Sequence, residues 1–253
     1  NDSPVPLSDA FIRRFSARGY MEDFLNARAS ISRSFEFHDF TNSVAADITN
    51  KWTILASSTA TTWAVLAESG GWARGVTGAS LATGAVGLHQ ITKFWDGTYG
   101  AGFASRIRLS AVTNIRLEQG FVDVAPAVGT FAVNVASAAF NSVTTGAVYV
   151  FDNGVAASST IQRLYTVGVS TAIQNVLTTT NPYLSAASLF VAMEIDGTTA
   201  KLWLGDPAGG PNAVIHTAFA ATESWLPWFQ AKTQSGSKNV DVDFLATWTL
   251  SRP

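Results

Sequence analysis

Two pairs of carboxylates, Glu194 with Asp196 and Asp241 with Asp243, are the residues best spaced to do chemistry in this chain. Residues two apart in an extended strand point to the same face, so each pair would present its acids side by side. Such a pair can share acid and base roles, or give oxygens to a calcium ion. Calcium takes about six to eight oxygen ligands, however, and no dense acidic loop lies near either pair. Asp196 precedes Gly197 and reads as a turn residue, Glu194 as an exposed strand residue, and Asp241 with Asp243 as a solvated sheet face.

The other reactive types are scattered. His38, His89 and His216 lie far apart in the sequence, and only Asp39 stands beside one of them. A zinc site needs three or four convergent ligands and a serine nucleophile needs a recognisable elbow, and neither pattern is present. The glycines between Gly70 and Gly102 lack the Lys-Ser/Thr ending and the following helix of a phosphate cradle. The expectation is therefore no catalytic residue, no metal and no cofactor. Eight tryptophans remain. An indole can stack on the apolar face of a sugar, so Trp63, Trp72, Trp95, Trp203, Trp225 and Trp228 could form a stacking platform, with core burial or subunit contact the plainer role for each and Trp72 and Trp95, in the glycine-rich stretch, the better surface candidates.

The elements that would carry these residues are strands. Val240, Val242, Phe244, Ala246, Trp248 and Leu250 alternate with Asp241, Asp243, Leu245, Thr247 and Thr249, which buries one face of a strand and wets the other. Phe35–Phe40, Lys51–Leu55, Thr61–Ala67, Leu88–Phe94, Phe131–Val135, Ala147–Phe151, Ile161–Val169 and Trp225–Thr233 read as further strands. Phe103–Leu109 and Ile115–Phe121 read as a pair joined by a hairpin at Val112-Thr113-Asn114. Leu189–Leu204 is the clearest hairpin: Leu189, Val191, Met193 and Ile195 point inward and Asp196-Gly197 turns the chain. Asp152-Asn153-Gly154 is a second tight-turn signal, and no helix of core length is expected after residue 35.

Residues 1–34 differ and read as a partly helical arm. Ser8 could cap a short helix carrying Phe11, Ile12 and Phe15 with Arg13 and Arg14 beside them, and Gly19 breaks it. A second short stretch with Met21, Phe24 and Leu25 ends near Arg28. Basic and aromatic residues mixed on a terminal segment suit an interface, so Phe11, Ile12, Arg13, Arg14 and Phe15 are the candidate partner-binding residues.

Composition narrows the function classes. Charged residues are 13% of the chain, against about 25% in an ordinary domain. A net charge of -2 gives no field to draw in phosphate backbones, so no nucleic-acid partner is expected. No apolar run reaches the ~20 residues of a membrane span, no signal-peptide pattern opens the chain, and a soluble, membrane-free protein is the expectation. Cysteine is absent, which leaves core burial and hydrogen bonding to hold the fold.

From about residue 35 to 252 this pattern resembles the concanavalin A-like or laminin-G-like jelly roll, an all-β, two-sheet antiparallel sandwich. The features that carry the resemblance are the Phe-rich opening strand, the Phe103–Leu109 and Ile115–Val124 strands, the Ile195-Asp196-Gly197 turn followed by Leu202-Trp203-Leu204, and the closing Val240-Asp241-Val242-Asp243-Phe244. Glycosidases of this group use a Glu-x-Asp-x-x-Glu run to set two carboxyls roughly 5 Å apart. Here Glu194 and Asp196 supply the first two acids and Thr199 stands where the second Glu belongs. Within the group the chain is similar to virion proteins of tailed bacteriophages. That likeness implies a non-enzymatic capsid decoration protein on the virion surface, made in the host cytoplasm, binding the major capsid or another virion protein and forming a homo-oligomer such as a trimer. The alternative is a lectin-like carbohydrate-binding module of a fibre or adhesin that recognises a surface glycan, and a weaker one is a polysaccharide-degrading enzyme.

Overall fold

The computed structural model describes residues 20–32, 34–40, 52–57, 63–68, 71–79, 84–91, 95–96, 99–137, 139–141, 143–154, 161–168, 174–177, 187–217, 219 and 222–250. The proposed interface residues Phe11, Ile12, Arg13, Arg14 and Phe15 lie outside the described residues. One sheet is built from β1 (Phe35–Asp39), β3 (Trp63–Val65), β4 (Ala73–Val76), β7 (Ala101–Leu109), β14 (Ser188–Asp196), β15 (Thr199–Leu204), β16 (Ala213–His216) and β18 (Asn239–Thr249). The other is built from β2 (Trp52–Ala56), β5 (Ala85–Gln90), β6 (Trp95–Asp96), β8 (Ile115–Val122), β11 (Gly146–Asn153), β12 (Ile161–Val167), β13 (Gln174–Leu177) and β17 (Ser224–Thr233). A small hairpin, β9 (Val133–Asn134) with β10 (Ala139–Phe140), stands apart from both. The first sheet runs β16-β15-β14-β7-β18-β4-β3 with β1 also on β18, and the second β13-β12-β11-β8-β17-β5-β2 with β6 also on β17.

Every pairing is antiparallel, and the facing rows of the two sheets form one core. Leu189, Val191, Met193 and Ile195 enter it from the first sheet, Leu117, Phe121, Tyr149 and Phe229 from the second. The hairpin at Asp196-Gly197 forms as expected, with Asp196 opposite Thr199.

Three local features depart from simple alternation. The register of β18 shifts between Val242 and Phe244. This bulge changes the strand's phase, so Val240, Val242 and Leu245 enter the inter-sheet core while Phe244, Ala246 and Trp248 turn to the opposite face. The single apolar face expected along this strand is thus two half-faces. Second, β7 and β8 are not a hairpin: β7 pairs with β14 and β18, β8 with β11 and β17, and the segment through Asn114 carries the chain from one sheet to the other. Both strands bury an apolar row in the same core, which requires that they face each other across it rather than lie side by side. Third, β17 is an inner strand that contains Pro227, which has no N–H for the ladder. Its neighbour changes there, from β6 opposite Ser224–Trp225 to β5 opposite Trp228–Lys232, so the missing donor falls in the gap.

Helix α1 (Tyr20–Ile31) covers the outer face of the first sheet. Met21, Phe24, Leu25 and Arg28 recur at i, i+3, i+4 and i+7, which puts them on one side of a helix. The three apolar residues pack with Ala104, Phe190, Trp203, Phe244 and Trp248. Glu194, expected to be exposed, is buried beneath the helix, where it accepts from Arg28 Nε at 2.6 Å and Trp248 Nε1 at 3.2 Å. Burial of this carboxylate is tolerated because it is paired and hydrogen-bonded.

Candidate functional site

Three rows of side chains cross the outer face of the second sheet, set by the strand register. Trp228, Gly120, Val148 and Tyr165 form the first, on β17, β8, β11 and β12 in turn. Gln230, Glu118, Val150 and Arg163 form the second, and Lys232, Arg116 and Asp152 the third. Gly120 has φ +151, and a Cβ there would run into the Ala147 carbonyl oxygen, so only glycine keeps the middle of the first row flat.

The polar members of this face are paired tightly. Arg116 bonds Glu118 and lies 3.6 Å from Asp152, and Gln234 Nε2 donates to Asp152 at 2.8 Å. Burial pushes the Glu118 carboxyl up to about 7, although Arg116 and the backbone N–H of Ala132 pull it down. Burial also raises Asp152, with Arg116 and Gln234 opposing, and it lowers Lys232, with Arg116 adding to the effect. The amphipathic members are left with free polar ends. Trp228 Nε1, the Tyr165 hydroxyl and Arg163 Nε are buried without a hydrogen-bond partner among the described residues. A buried polar group left unmade costs about 1–3 kcal/mol.

A loop from Asp123 to Thr145 lies across this face. Gly129 N–H donates to Gln230 Oε1 at 3.0 Å, Gln230 Nε2 to the Thr130 carbonyl at 2.9 Å, Lys232 Nζ to the Gly129 carbonyl at 2.9 Å, and Ala132 N–H to Glu118 Oε2 at 2.8 Å. Arg116 also donates to the Val133 carbonyl, and its guanidinium carbon stands 4.0 Å from the Phe131 ring centroid. Of the expected strand Phe131–Val135 only Val133–Asn134 is extended and paired. The face is covered: Glu118, Gln230, Tyr165 and Trp228 are buried, and Ala132, Val133, Val135 and Val143 of the loop cluster with Val148, Val150, Tyr165 and Trp228, while the groups it carries are those that hydrogen-bond hydroxyls. Its two carboxylates, Glu118 and Asp152, both lean on Arg116, an arrangement that neutralises them rather than leaving an acid and a nucleophile free.

The residues singled out by spacing sit elsewhere. Asp241 and Asp243 are buried on the first sheet, not solvated. Asp241 accepts from Arg74 Nε at 2.6 Å and Arg108 Nη2 at 2.7 Å, and Asp243 from Arg106 Nη1 at 3.2 Å. Trp72, expected to be an open surface platform, is only 7% exposed. Arg108 and Arg106 lie over its ring at 4.6 and 5.4 Å, so its face is already taken. Trp95 belongs to β6, and its side chain lies outside the described residues. His38 stands 3.8 Å from Glu36, His89 Nδ1 lies 2.7 Å from the Gln90 carbonyl, and His216 Nδ1 lies 3.5 Å from Thr199 Oγ1. Among the described residues no three His, Asp or Glu side chains converge as metal ligands would.

No family model and no curated protein matches the sequence. Solved structures do match in fold. An immunostimulatory antigen and pseudo beta-1,3-glucanase of Mycobacterium tuberculosis superimposes with a TM-score of 0.56 at 10% identity, covering 85% of this chain and 98% of that one. A beta-1,3-glucanase from Mycobacterium marinum gives 0.56 at 10% identity over 84% and 97% of the two chains. Lectin II from Ulex europaeus gives 0.54 at 10% identity over 87% and 99%. The chain therefore has the concanavalin A-like sandwich fold that lectins and glucanase-like proteins share.

Proposed function

We propose that this chain is a non-catalytic carbohydrate-binding protein that takes a neutral, hydroxyl-rich ligand on the outer face of the second sheet. The observation that carries the reading is the array on that face: Gln230, Glu118, Arg116 and Lys232 set donors and acceptors in two adjacent rows, which the loop backbone at residues 129–133 engages, beside Trp228 and Tyr165 with unmet polar ends. Directional donors around an aromatic body are what sugar recognition asks for. The fold likeness to lectins and glucanase-like proteins supports the same reading, and it lends nothing to a capsid-binding role, a virion location or a trimer. The non-catalytic part of the reading is supported by the carboxylates of this face: a retaining hydrolase wants two free acids roughly 5 Å apart, and Glu118 and Asp152 are both engaged by Arg116.

The test is a glycan array followed by titration with β-1,3-gluco-oligosaccharides, run beside a reducing-end assay on β-1,3-glucan. Saturable binding without release of reducing ends is the expected result. Steady release of reducing ends would replace this reading with the hydrolase, and silence across the array would remove sugars altogether.

A further inference from the structure

The second sheet ends in a strand whose far side is unpaired. β2 (Trp52–Ala56) is bonded to β5, and among the described residues no strand lies along its other side. The opposite end of this sheet differs, because β13 lies against β16 of the first sheet. Ser57 N–H donates to the Ala85 carbonyl at 3.0 Å, one step beyond the partners Ala56 and Val86. Antiparallel ladders alternate bonded and non-bonded couples, so Thr53 and Leu55 turn their N–H and C=O groups to β5 in the same way as Ser57. Trp52, Ile54 and Ala56 therefore turn theirs away from the sheet. An edge of free main-chain groups is a template for another strand, and proteins commonly blunt it with charge, proline or a bulge. This edge carries none of them: no charged residue and no proline stands between Trp52 and Ala67, and the register of β2 on β5 is unbroken.

Side chains mark the same edge. Trp52 packs in the core between the sheets and Leu55 against the outer cluster, so alternation sets Ile54 on the core side. Ile54 is nevertheless 41% exposed, and Ile91, just past the end of β5, is 50% exposed. Thr53 and Ala56 are exposed too. An uncharged apolar rim with free donors and acceptors is suited to strand addition.

We propose that β2 pairs antiparallel with β2 of a second copy of this chain, which joins the two second sheets into one. A second copy is the occupant that the pattern itself specifies. About a two-fold axis through Ile54 the strand is its own complement: Ile54 meets Ile54 and Trp52 meets Ala56 of the other copy, each couple exchanging N–H and C=O in both directions. Such an axis sets the edge against itself, which like charges would oppose, and this edge has no charge. The axis stands normal to the sheet, so both outer faces lie on one side. The pairing does not rest on the sugar reading; where that reading holds, the pair is bivalent, with two candidate faces turned the same way.

The experiment is sedimentation equilibrium of the full chain over about a hundredfold range of concentration, with amide exchange at both ends of that range. The expected result is a mass that rises from one chain to two, while the Ile54 and Ala56 amides gain protection and Thr53 and Leu55 stay level. A mass of one chain throughout overturns the pairing, and so does a gain shared equally by all four amides. Ile54→Lys brings two ammonium groups to the axis and should weaken self-association about tenfold or more, with the urea midpoint unchanged. Ala56→Pro deletes an outward N–H and none of the bonds to β5, and should weaken it in the same way. Undiminished pairing in whichever of these variants folds overturns the proposal, and the alternating protection of the wild type decides the matter without either. A dimer with that protection that binds no glycan leaves the pairing standing and removes the sugar reading; a monomer that binds glycan does the reverse.

Discussion

The two sheets each have an outer face covered by the chain's own residues, but the covers are made differently. Over the first sheet lies helix α1, anchored by Met21, Phe24 and Leu25 against Trp203, Phe244 and Trp248, with Glu194 locked between Arg28 and Trp248. Over the second lies the loop Asp123–Thr145, which packs Ala132, Val133, Val135 and Val143 on Val148, Val150, Tyr165 and Trp228 and adds hydrogen bonds from sheet side chains to its own backbone. Apolar contact has no substitute in water, whereas a hydrogen bond can be exchanged for another at small net cost. Both covers thus have an apolar part that belongs to the fold, and the second adds polar bonds at Gly129 and Thr130, the part that a ligand making equivalent bonds can replace.

Several substitutions sharpen or break this contrast. The largest effect is expected from Trp248→Ala, which empties space under α1 and removes a donor from Glu194: about 3–5 kcal/mol lost in urea unfolding. Glu118→Ala comes next. It leaves Arg116 buried beside a lost partner and should cost about 3 kcal/mol near neutral pH, with exchange at Ala132 rising first. Were Trp248→Ala to loosen only the loop, or Glu118→Ala only the helix, the division between the covers would fail. Gly120→Ala should cost about 1–3 kcal/mol, since its φ of +151 and the Ala147 carbonyl leave no room for a Cβ. Lys232→Met removes one bond to the Gly129 carbonyl and should change global stability by under about 1 kcal/mol while speeding exchange at the tip. A global loss as large as that of Trp248→Ala would mean that the tip is as structural as the helix.

Much of the sandwich was legible in period-two alternation, because one core takes one face of each strand. The hairpin Leu189–Leu204 and the inward set Leu189, Val191, Met193 and Ile195 needed nothing more. The bulge in β18 was hidden, since the unslipped reading, which continues Val240 and Val242 with Phe244, Ala246 and Trp248, is the more apolar row, and the slip that sends those three to the other face leaves no local mark. So was the crossing between β7 and β8, because alternation says which side a residue faces and not which strand lies next to it. The polar residues were misplaced for a related reason. Glu194, Asp241 and Asp243 are buried by partners far along the chain, Arg28, Arg74 and Arg106, which local spacing does not reveal. Glu118, Gln230 and Tyr165 drew no notice as site residues, yet two signals pointed toward them. Arg116 and Glu118 are the two charges in a fully buried strand, and the stretch from Val124 to Thr144 that follows carries no charge to pair with them.

The central claim is that a sugar binds on the outer face of the second sheet, and the indole N–H of Trp228 reports on it directly. Titration of the wild type at about pH 8 with a β-1,3-gluco-oligosaccharide, or with the best glycan from the array, is followed by NMR. Saturable movement of the Trp228 indole resonance together with the Gln230 side-chain amide is the predicted result. A bound glycan that moves only resonances of the first sheet, around Trp72 or α1, would contradict the account.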